Sequence, residues 1–361
     1  MGEVKMLRER NIQHKNSLDY IRFFAILCVI LTHVTESVYT LNAESLCKEA
    51  LIVRWSGLAF FTIGRLGVPL FMFLTGYLML DRTYTSQDIN KLWKKKVFGM
   101  LVATEIWICV YYVFSLWIDN AKFSFFFLLR QMLFFRGASC PHLWYMPIIL
   151  GLYIFLPFIA NALNKIDGRI LMYPVLLVVL YLFIPPIINV FCFVLGKEPL
   201  YKLLDFSFAG GEYGILLIIG WMIKKGYFAC VKSIYFFFLG IGSYAVTLAV
   251  ELYAYNHGVT YNVWYDSLTL LVASFSIFNL FFKMKIKKDS LNQLIGWFSR
   301  ISFAVYLSHE MFVVLLSLHL QIENYFVREE IIFFWSVVIG FFVAGVLCLN
   351  KKVGNILFNF K

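Results

Sequence analysis

Four ionisable side chains occur in one apolar stretch near the start of the chain: Asp19, Arg22, His33 and Glu36. An α-helix turns by about 100° per residue, so the eleven steps from Arg22 to His33 leave them roughly 20° apart around the axis and about 16 Å apart along it. Asp19 and Glu36 lie within about 60° of the same line. Ionisable residues in a membrane helix normally face a cavity or a partner and mark a functional site. The stretch therefore predicts a helix with one polar stripe.

A second buried cation is predicted in the next apolar stretch. Arg65 lies about 24 Å along its helix from the cytoplasmic end, and His33 lies about 22 Å along the preceding helix. The matching depths indicate that Arg65 and His33 share one cavity. The alternative is that Arg65 reaches back to the outer surface.

The sequence Pro141-His142-Leu-Trp144-Tyr145 begins the fourth apolar stretch. Trp and Tyr at that position are also typical of the interfacial belt of a membrane protein. A histidine beside them is less expected in a belt, so His142 is a candidate for the site.

The ninth apolar stretch contains Arg300, Tyr306, His309 and Glu310. Arg300 lies at the cytoplasmic end, where a long cationic side chain can extend to the membrane surface. His309 and Glu310 are adjacent and about 100° apart, so we expect that they cannot face the same cavity wall, whereas Tyr306 and Glu310 share a face. No helix has the ligand spacing of a metal site, and no metal is predicted.

The composition is that of a polytopic membrane protein. Hydrophobic residues make up 61% of the 361 residues and charged residues only 15%, against about a quarter in soluble proteins. The first apolar segment is too long for a signal-peptide core and is interpreted as retained. A net charge of +11 is typical of basic cytoplasmic loops, and no nucleic-acid partner is predicted.

Apolar windows of about twenty residues predict ten transmembrane helices. With the N-terminus inside, 22 of the 32 Lys and Arg residues fall on the cytoplasmic side and eight outside; the positive-inside rule then places both termini in the cytoplasm. The external connection 119–141 is rich in Phe and predicts an interfacial helix or a re-entrant lid, and Pro185-Pro186 predicts a kink in the fifth span. The predicted spans are 18–40, 56–80, 97–118, 142–163, 170–195, 207–223, 231–253, 264–282, 300–320 and 331–350, so that 1–17 is a cytoplasmic segment, 18–350 the ten-helix membrane domain and 351–361 a cytoplasmic tail.

Three functions fit these residues. Arginine binds phosphate well, histidine is a natural general base, and a buried Arg65 could stabilise an oxyanion; together they favour acyl transfer from a phosphate-bearing thioester to a hydroxyl. The same residues could form the proton relay of a transporter or flippase for a glycan or its precursor. A third possibility is the membrane-anchoring part of a larger assembly.

The chain resembles the acyltransferase family 3 membrane proteins, and within them bacterial surface-polysaccharide O-acetyltransferases such as those acting on enterobacterial common antigen. The resemblance extends over the whole chain and rests on four motifs in register: Asp19-x2-Arg22-x10-His33, Arg65-x3-Pro69-Leu-Phe-x4-Gly76-Tyr77, His142-Leu-Trp144 and Ser299-x2-Ser302-Phe-x2-Tyr306-Leu-x-His309. In many relatives a Pro follows the last histidine, whereas this chain has Glu310.

The resemblance implies a ten-helix enzyme of the bacterial cytoplasmic (inner) membrane that moves an acyl group, usually acetyl from acetyl-CoA, to a hydroxyl of a surface or lipid-linked polysaccharide. Some relatives carry a further extracytoplasmic hydrolase-like domain, and we expect any such partner to be absent or separate. The catalytic candidates are then His33, Arg65 and Glu310, with His33 as general base or transient acyl carrier. Arg22, Asp19 and Arg300 are expected to bind the CoA, and His142, Trp144, Tyr145, Glu36, Tyr306 and His309 the substrate.

Overall fold

The computed structural model describes residues 2–284 and 288–360, with side chains from Lys15 onward. Within these ranges the chain is helical and has no strand, which confirms the predicted all-α membrane protein. The α-helices are α1 (Gly2–Val38), α2 (Ala43–Leu46), α3 (Leu51–Arg65), α4 (Gly67–Met79), α5 (Ser86–Lys91), α6 (Phe98–Asp119), α7 (Phe125–Met132), α8 (Tyr145–Leu163), α9 (Gly168–Phe183), α10 (Pro185–Val194), α11 (Gly211–Lys224), α12 (Ser233–Asn256), α13 (Leu268–Lys283), α14 (Asp289–His319), α15 (Tyr325–Leu349) and α16 (Lys351–Phe358).

Eight helical stretches within the described residues are long and apolar enough to cross a membrane. The sixth and eighth predicted spans correspond to the shorter helices α11 and α13, of 14 and 16 residues. These helices extend about 21 and 24 Å, less than a hydrocarbon core of about 30 Å. The eight stretches are Lys15–Val38, Leu51–Met79, Ser86–Asp119, Pro141–Leu163, Gly168–Val194, Ser233–Asn256, Asp289–His319 and Tyr325–Leu349.

The cytoplasmic location of both termini stays a prediction. Of the residues on which the charge count depends, Lys285, Lys287 and Lys361 lie outside the described residues, and the side chains of residues 2–14 are likewise not described. The division into 1–17, 18–350 and 351–361 also stays a prediction.

The second predicted span is two helices that meet at Leu66, where α3 ends and α4 begins. Pro69 explains the break, because a proline has no N–H to donate to the carbonyl four residues earlier and its ring clashes with that carbonyl. The residue four before Pro69 is Arg65. The sequence therefore ends α3 at Arg65 and places this side chain at a helix terminus. The predicted kink in the fifth span is present for the same reason, since α9 ends at Phe183 and α10 begins at Pro185.

The Phe-rich connection between α6 and α8 contains α7, as the interfacial-helix interpretation expects. Phe125 and Phe126 on this helix are largely exposed. In a membrane protein, such side chains are available to lipid.

Helix α1 is central, because α3, α4, α13, α14 and α15 all pack against it. Glycines allow the closest approaches. A Cβ atom added at Gly64 would lie 2.6 Å from the backbone nitrogen of Thr32, and one added at Gly76 would overlap the carbonyl oxygen of Leu217 on α11. Small residues that let backbones approach are typical of helix contacts in membranes. The Gly64 contact fixes α3 against the residue that precedes His33.

The predicted cytoplasmic tail contains α16, which packs against α6. The indole N–H of Trp107 donates to the carbonyl of Leu357 (3.0 Å), and the amide of Asn359 donates to the carbonyl of Lys96 (3.1 Å). Trp107 also stacks on Phe358. Residues 351–359 are therefore part of the packed helix bundle.

Gly64→Ala is expected to destabilise the protein by about 1–3 kcal/mol, because the added methyl group overpacks the α1–α3 contact. Gly151→Ala is the matched control, since a Cβ atom there meets nothing within 4 Å. Thermal unfolding of both variants in the same detergent checks the prediction. Equal melting temperatures for the two variants would contradict it.

Candidate active site

His33 is oriented by Glu36, one turn later on α1. Nδ1 of His33 lies 3.2 Å from Oε2 of Glu36. An ionised carboxylate only accepts hydrogen bonds, so the ring proton is assigned to Nδ1 and Nε2 keeps a free lone pair. A histidine held in one tautomer by a carboxylate is the arrangement of an oriented general base.

Glu36 also pairs with Arg65, and thereby joins α1 to the end of α3. Nη2 of Arg65 donates to Oε1 of Glu36 (3.1 Å), and Nη1 donates to the hydroxyl of Tyr265 (3.1 Å). The guanidinium carbon lies 4.5 Å from the ring centroids of Phe61 and Trp264. Only 6% of Arg65 is exposed. Glu36 thus links Arg65 to His33, but Arg65 is not among the residues that line the chamber at His33, so a cavity shared by the two stays a prediction. The alternative of a side chain reaching the outer surface is wrong, because Arg65 is buried.

His309 and Glu310 on α14 both contact the His33 region. Oε2 of Glu310 lies 3.8 Å from Nδ1 of His33 and 3.8 Å from Nε2 of His309. Both neighbours thus lie close to His33. Neither lines the cavities described below, so the expectation that they cannot face the same cavity wall stays a prediction. Helix α1 packs directly against α14, so one side chain of α1 touches both.

The proton of His309 is also assigned by its partners. Nδ1 lies 3.1 Å from the carbonyl oxygen of Val305 and 2.8 Å from that of Tyr306. Carbonyls accept, so Nδ1 donates and Nε2 is left as an acceptor. This Nε2 atom is buried without a hydrogen-bond partner among the described residues, as is Oε2 of Glu310.

His142 completes a group of three imidazoles. Its ring centroid lies 6.0 Å from that of His33 and 5.2 Å from that of His309. The hydroxyl of Tyr306 donates to the backbone carbonyl of His142 (2.6 Å) and ties the start of the fourth span to α14. Among the described residues Nε2 of His142 has no hydrogen-bond partner.

Trp144 and Tyr145 belong to the same region. Trp144 stacks on Tyr265 with ring centroids 5.4 Å apart, and Tyr265 contacts Arg65. The ring of Tyr145 lies 5.8 Å from that of Tyr306. A purely interfacial role for these two aromatic residues is thus excluded by their contacts.

His33, His309 and Glu310 could also act as metal ligands, because one ligand atom of each lies within 4.8 Å of the others. The separations of 3.8 Å exceed the roughly 3.4 Å that zinc–ligand distances imply for two atoms on one tetrahedral ion. These separations are also beyond hydrogen-bond distance, so no direct hydrogen bond joins these atoms of His33 and His309 to Oε2 of Glu310. The absence of a metal stays a prediction from the sequence.

Arg22 lies at the other end of the polar stripe in a closed hydrogen-bond network. Its Nη1 atom donates to Ser299 (2.8 Å) and to Asp19 (3.2 Å), and the hydroxyl of Ser299 donates to Asp19 (2.7 Å). Arg300 is exposed and donates from Nε to the carbonyl of Gly296. The carboxylate and the hydroxyl fix one edge of the Arg22 guanidinium.

A cavity of about 450 Å³ begins at these cations. Arg22, Lys96 and Arg300 line one part of it, and Tyr145 and Tyr306 line another. Most of the remaining wall is formed by apolar side chains. Such a space suits a ligand with an anionic head and a less polar chain.

A narrow chamber of about 10 Å³ adjoins this cavity and shares Tyr145 and Tyr306 with it. His33 and His142 line the chamber. Its volume is about that of one water molecule. Arg22 therefore lines the larger of two neighbouring spaces, and His33 lines the smaller one.

The family model described as an acyltransferase domain matches residues 15–349. The chain belongs to acyltransferase family 3. With its apolar helices, it is a multi-pass membrane acyltransferase. No curated protein and no solved structure matches the chain.

Several residues of the acyltransferase site are not evident from the sequence. Ser299 is present in a quoted motif, but nothing in that motif assigns it to Arg22. Lys96 is one of three consecutive lysines and is counted only as a topological charge. Trp264 and Tyr265 enclose Arg65 from a segment about 200 residues away, and no local pattern signals this contact.

Glu36→Gln should lower the kcat of acyl transfer by about 10²-fold, the contribution expected of an oriented general base. The amide cannot supply the negative charge that faces both His33 and Arg65. Glu44→Gln is the matched control, because Glu44 is an exposed residue of α2 whose carboxylate faces Lys48 at 3.7 Å. The kcat of each variant is measured from the steady-state release of free thiol from the acyl donor. Equal kcat values for the two variants would refute the role of Glu36.

Proposed function

We propose that this acyltransferase moves an acetyl group from acetyl-CoA to a hydroxyl of a cell-surface or lipid-linked polysaccharide. It works in the bacterial cytoplasmic membrane, with both termini in the cytoplasm. The observation that supports the proposal best is the polar stripe of α1, whose Arg22 end lines the 450 Å³ cavity and whose His33 end lines a neighbouring chamber that shares Tyr145 and Tyr306 with it.

The cationic part of the cavity has the chemistry of a CoA site. Arg22, Lys96 and Arg300 supply three positive charges around its rim, and guanidinium groups match phosphate oxygens in geometry and charge. Asp19 and Ser299 fix Arg22 from one side, so its remaining N–H groups face the ligand already oriented. The apolar wall then suits the pantetheine arm.

The polar stripe also has the length that this donor needs. Arg22 and His33 are eleven residues apart on one helix, which corresponds to about 16 Å. A donor whose phosphates lie at Arg22 extends its thioester along α1 toward the narrow chamber. The chamber has room for about one water molecule, so its volume does not distinguish among acyl groups, and acetyl is the group that the resemblance implies.

The reaction we propose is a direct transfer. Nε2 of His33 removes the proton of the acceptor hydroxyl, and the oxygen attacks the thioester carbonyl carbon. The C–O bond forms, the C–S bond breaks, and the proton passes from His33 to the CoA thiolate. The products are the O-acetyl ester and free CoA. Arg65 supports the transient oxyanion, because its buried Nε has no hydrogen-bond partner among the described residues.

Glu36 and Glu310 divide the supporting roles. Glu36 holds the tautomer of His33, whereas Glu310 lies between His33 and His309 and stabilises the imidazolium that forms when His33 takes the proton. An acyl-histidine intermediate is the variant of this scheme in which His33 carries the acetyl group before transfer.

His33→Ala is expected to reduce acetylation by at least about 10³-fold, because it removes the general base. His319→Ala is the control, since His319 is an exposed residue at the end of α14. Full-length protein in lipid nanodiscs is incubated with labelled acetyl-CoA. The binding of acetyl-CoA and the transfer of the acetyl group are then measured in the same preparation. Acetylation that persists in His33→Ala would remove His33 from the chemistry, and a wild type that moves a glycan without cleaving acetyl-CoA would favour a transporter.

Arg22→Ala is expected to raise the KM for acetyl-CoA about tenfold, the effect of losing roughly 1.4 kcal/mol of phosphate binding, with a smaller change in kcat. Arg169→Ala is the control, because Arg169 is an exposed residue of α9 away from the cavity. Initial rates over a range of acetyl-CoA concentrations separate the two constants. An unchanged KM in Arg22→Ala would move the donor site elsewhere.

A further inference from the structure

A second cavity of about 330 Å³ lies on the other side of Trp144. It is lined by the segment that follows α7 and by the start of the fourth span. No residue of this cavity lines the 450 Å³ cavity at Arg22. Trp144 lines both the second cavity and the chamber that contains His33. Trp144 therefore lies between the second cavity and the chamber at His33. The lining residues are Ile108, Gln131, Phe134, Phe135, Arg136, Gly137, Ala138, Leu143, Trp144 and Pro147.

Residues 131–139 form a tightly hydrogen-bonded loop around this cavity. Gln131 is buried, donates from Nε2 to the hydroxyl of Ser139 (2.9 Å) and accepts from its backbone N–H (3.3 Å). The N–H groups of Phe135 and Arg136 both donate to the carbonyl of Arg130. Phe134 has φ of 56°, a left-handed backbone that a bulky residue rarely adopts. Strained residues of this kind cluster at binding sites, where the surrounding contacts hold them.

The loop presents an unused cation and exposed rings. The guanidinium of Arg136 lies 4.2 Å from the ring centroid of Phe127, and its N–H groups have no hydrogen-bond partner among the described residues. Phe135 is 82% exposed. The cavity thus combines aromatic faces, an apolar floor and free planar donors at its rim.

We infer that this second cavity binds a sugar ring of the acceptor, an inference that rests on the proposed function. A pyranose has a C–H face that packs on aromatic rings and a rim of hydroxyls that accept from a guanidinium. The cavity volume is at the lower end of the range for small-molecule sites, which suits one saccharide unit of a longer chain. A hydroxyl of that unit approaches His33 past Trp144 while the donor occupies the other cavity.

The alternative occupant is the alkyl chain of a lipid. It would fill the apolar floor, but it would leave the free N–H groups of Arg136 without an acceptor. The second cavity also lies beside Trp144. Trp144 contacts Tyr265, which in turn bonds Arg65. This position favours the reacting saccharide over a lipid chain that takes no part in the reaction.

The test uses Phe135→Ala and Arg136→Ala in full-length protein in phosphatidylcholine nanodiscs. The probes are the methyl glycosides of glucose, galactose, mannose, N-acetylglucosamine and N-acetylgalactosamine. Saturation-transfer NMR measures their binding without donor, and mass spectrometry measures acetylated glycoside with acetyl-CoA. We expect the glycoside concentration for half-maximal transfer to rise at least about tenfold in both variants, with the KM for acetyl-CoA within about twofold of wild type.

Phe126→Ala and Arg130→Ala are matched controls. Phe126 on α7 is exposed like Phe135, and the guanidinium of Arg130 lies 5.2 Å from the centroid of the Phe126 ring. Neither side chain lines the cavity. In both control variants, glycoside binding and the glycoside concentration for half-maximal transfer should therefore stay at wild-type values.

The outcomes separate the two proposals. If transfer requires His33 but all four variants behave alike, the sugar site is wrong and the proposed function stands. If the glycosides bind and lose affinity in Phe135→Ala and Arg136→Ala while no acetyl group is transferred, the proposed function is wrong. If no methyl glycoside binds, or if only alkyl chains compete for the cavity, the sugar site is refuted.

Discussion

The carboxylate of Glu36 holds the site together. One oxygen faces Nδ1 of His33 and the other accepts from Arg65, so a single side chain sets a tautomer on α1 and binds the terminus of α3. The buried guanidinium of Arg65 carries a desolvation cost, which its pairing with the more exposed Glu36 carboxylate and its further hydrogen bond offset. Tyr265 and the surrounding rings complete that environment for Arg65. The His–Glu–Arg contact depends in turn on how closely the two helices approach.

That approach is determined by residues with no chemistry of their own. Pro69 ends α3 four residues earlier, at Arg65, and Gly64 brings the backbone of α3 against Thr32. The reactive groups are therefore placed by a helix break and by a missing Cβ atom. On the other side of α1, Tyr306 bonds the backbone of His142 and fixes the third imidazole to α14. Helices α1 and α14 and the start of the fourth span thus bring the three imidazoles together.

Much of this arrangement is predictable from periodicity and depth. The stripe on α1, the shared environment of His33 and Arg65, and the kink at Pro185-Pro186 follow from helical geometry and from proline stereochemistry. The joint contact of His309 and Glu310 with His33 does not follow from helical geometry. A helical wheel gives the direction of each side chain but not which helix packs against it. Ser299, Trp264 and Tyr265 meet their partners across long sequence separations. In the sequence, Lys96 is indistinguishable from the lysines that only indicate the cytoplasmic side. In the structure, it lines the cavity that contains Arg22.

The docking of α16 has a practical meaning for work on this enzyme. Asn359 bonds the backbone of Lys96 and lines the cavity that begins at Arg22. A reporter or affinity tag attached soon after Asn359 would lie close to that cavity in sequence, and acidic groups in the tag would compete with an anionic ligand for Arg22 and Lys96. Altered kinetics in such a fusion would reflect the attachment point and not the chemistry at His33.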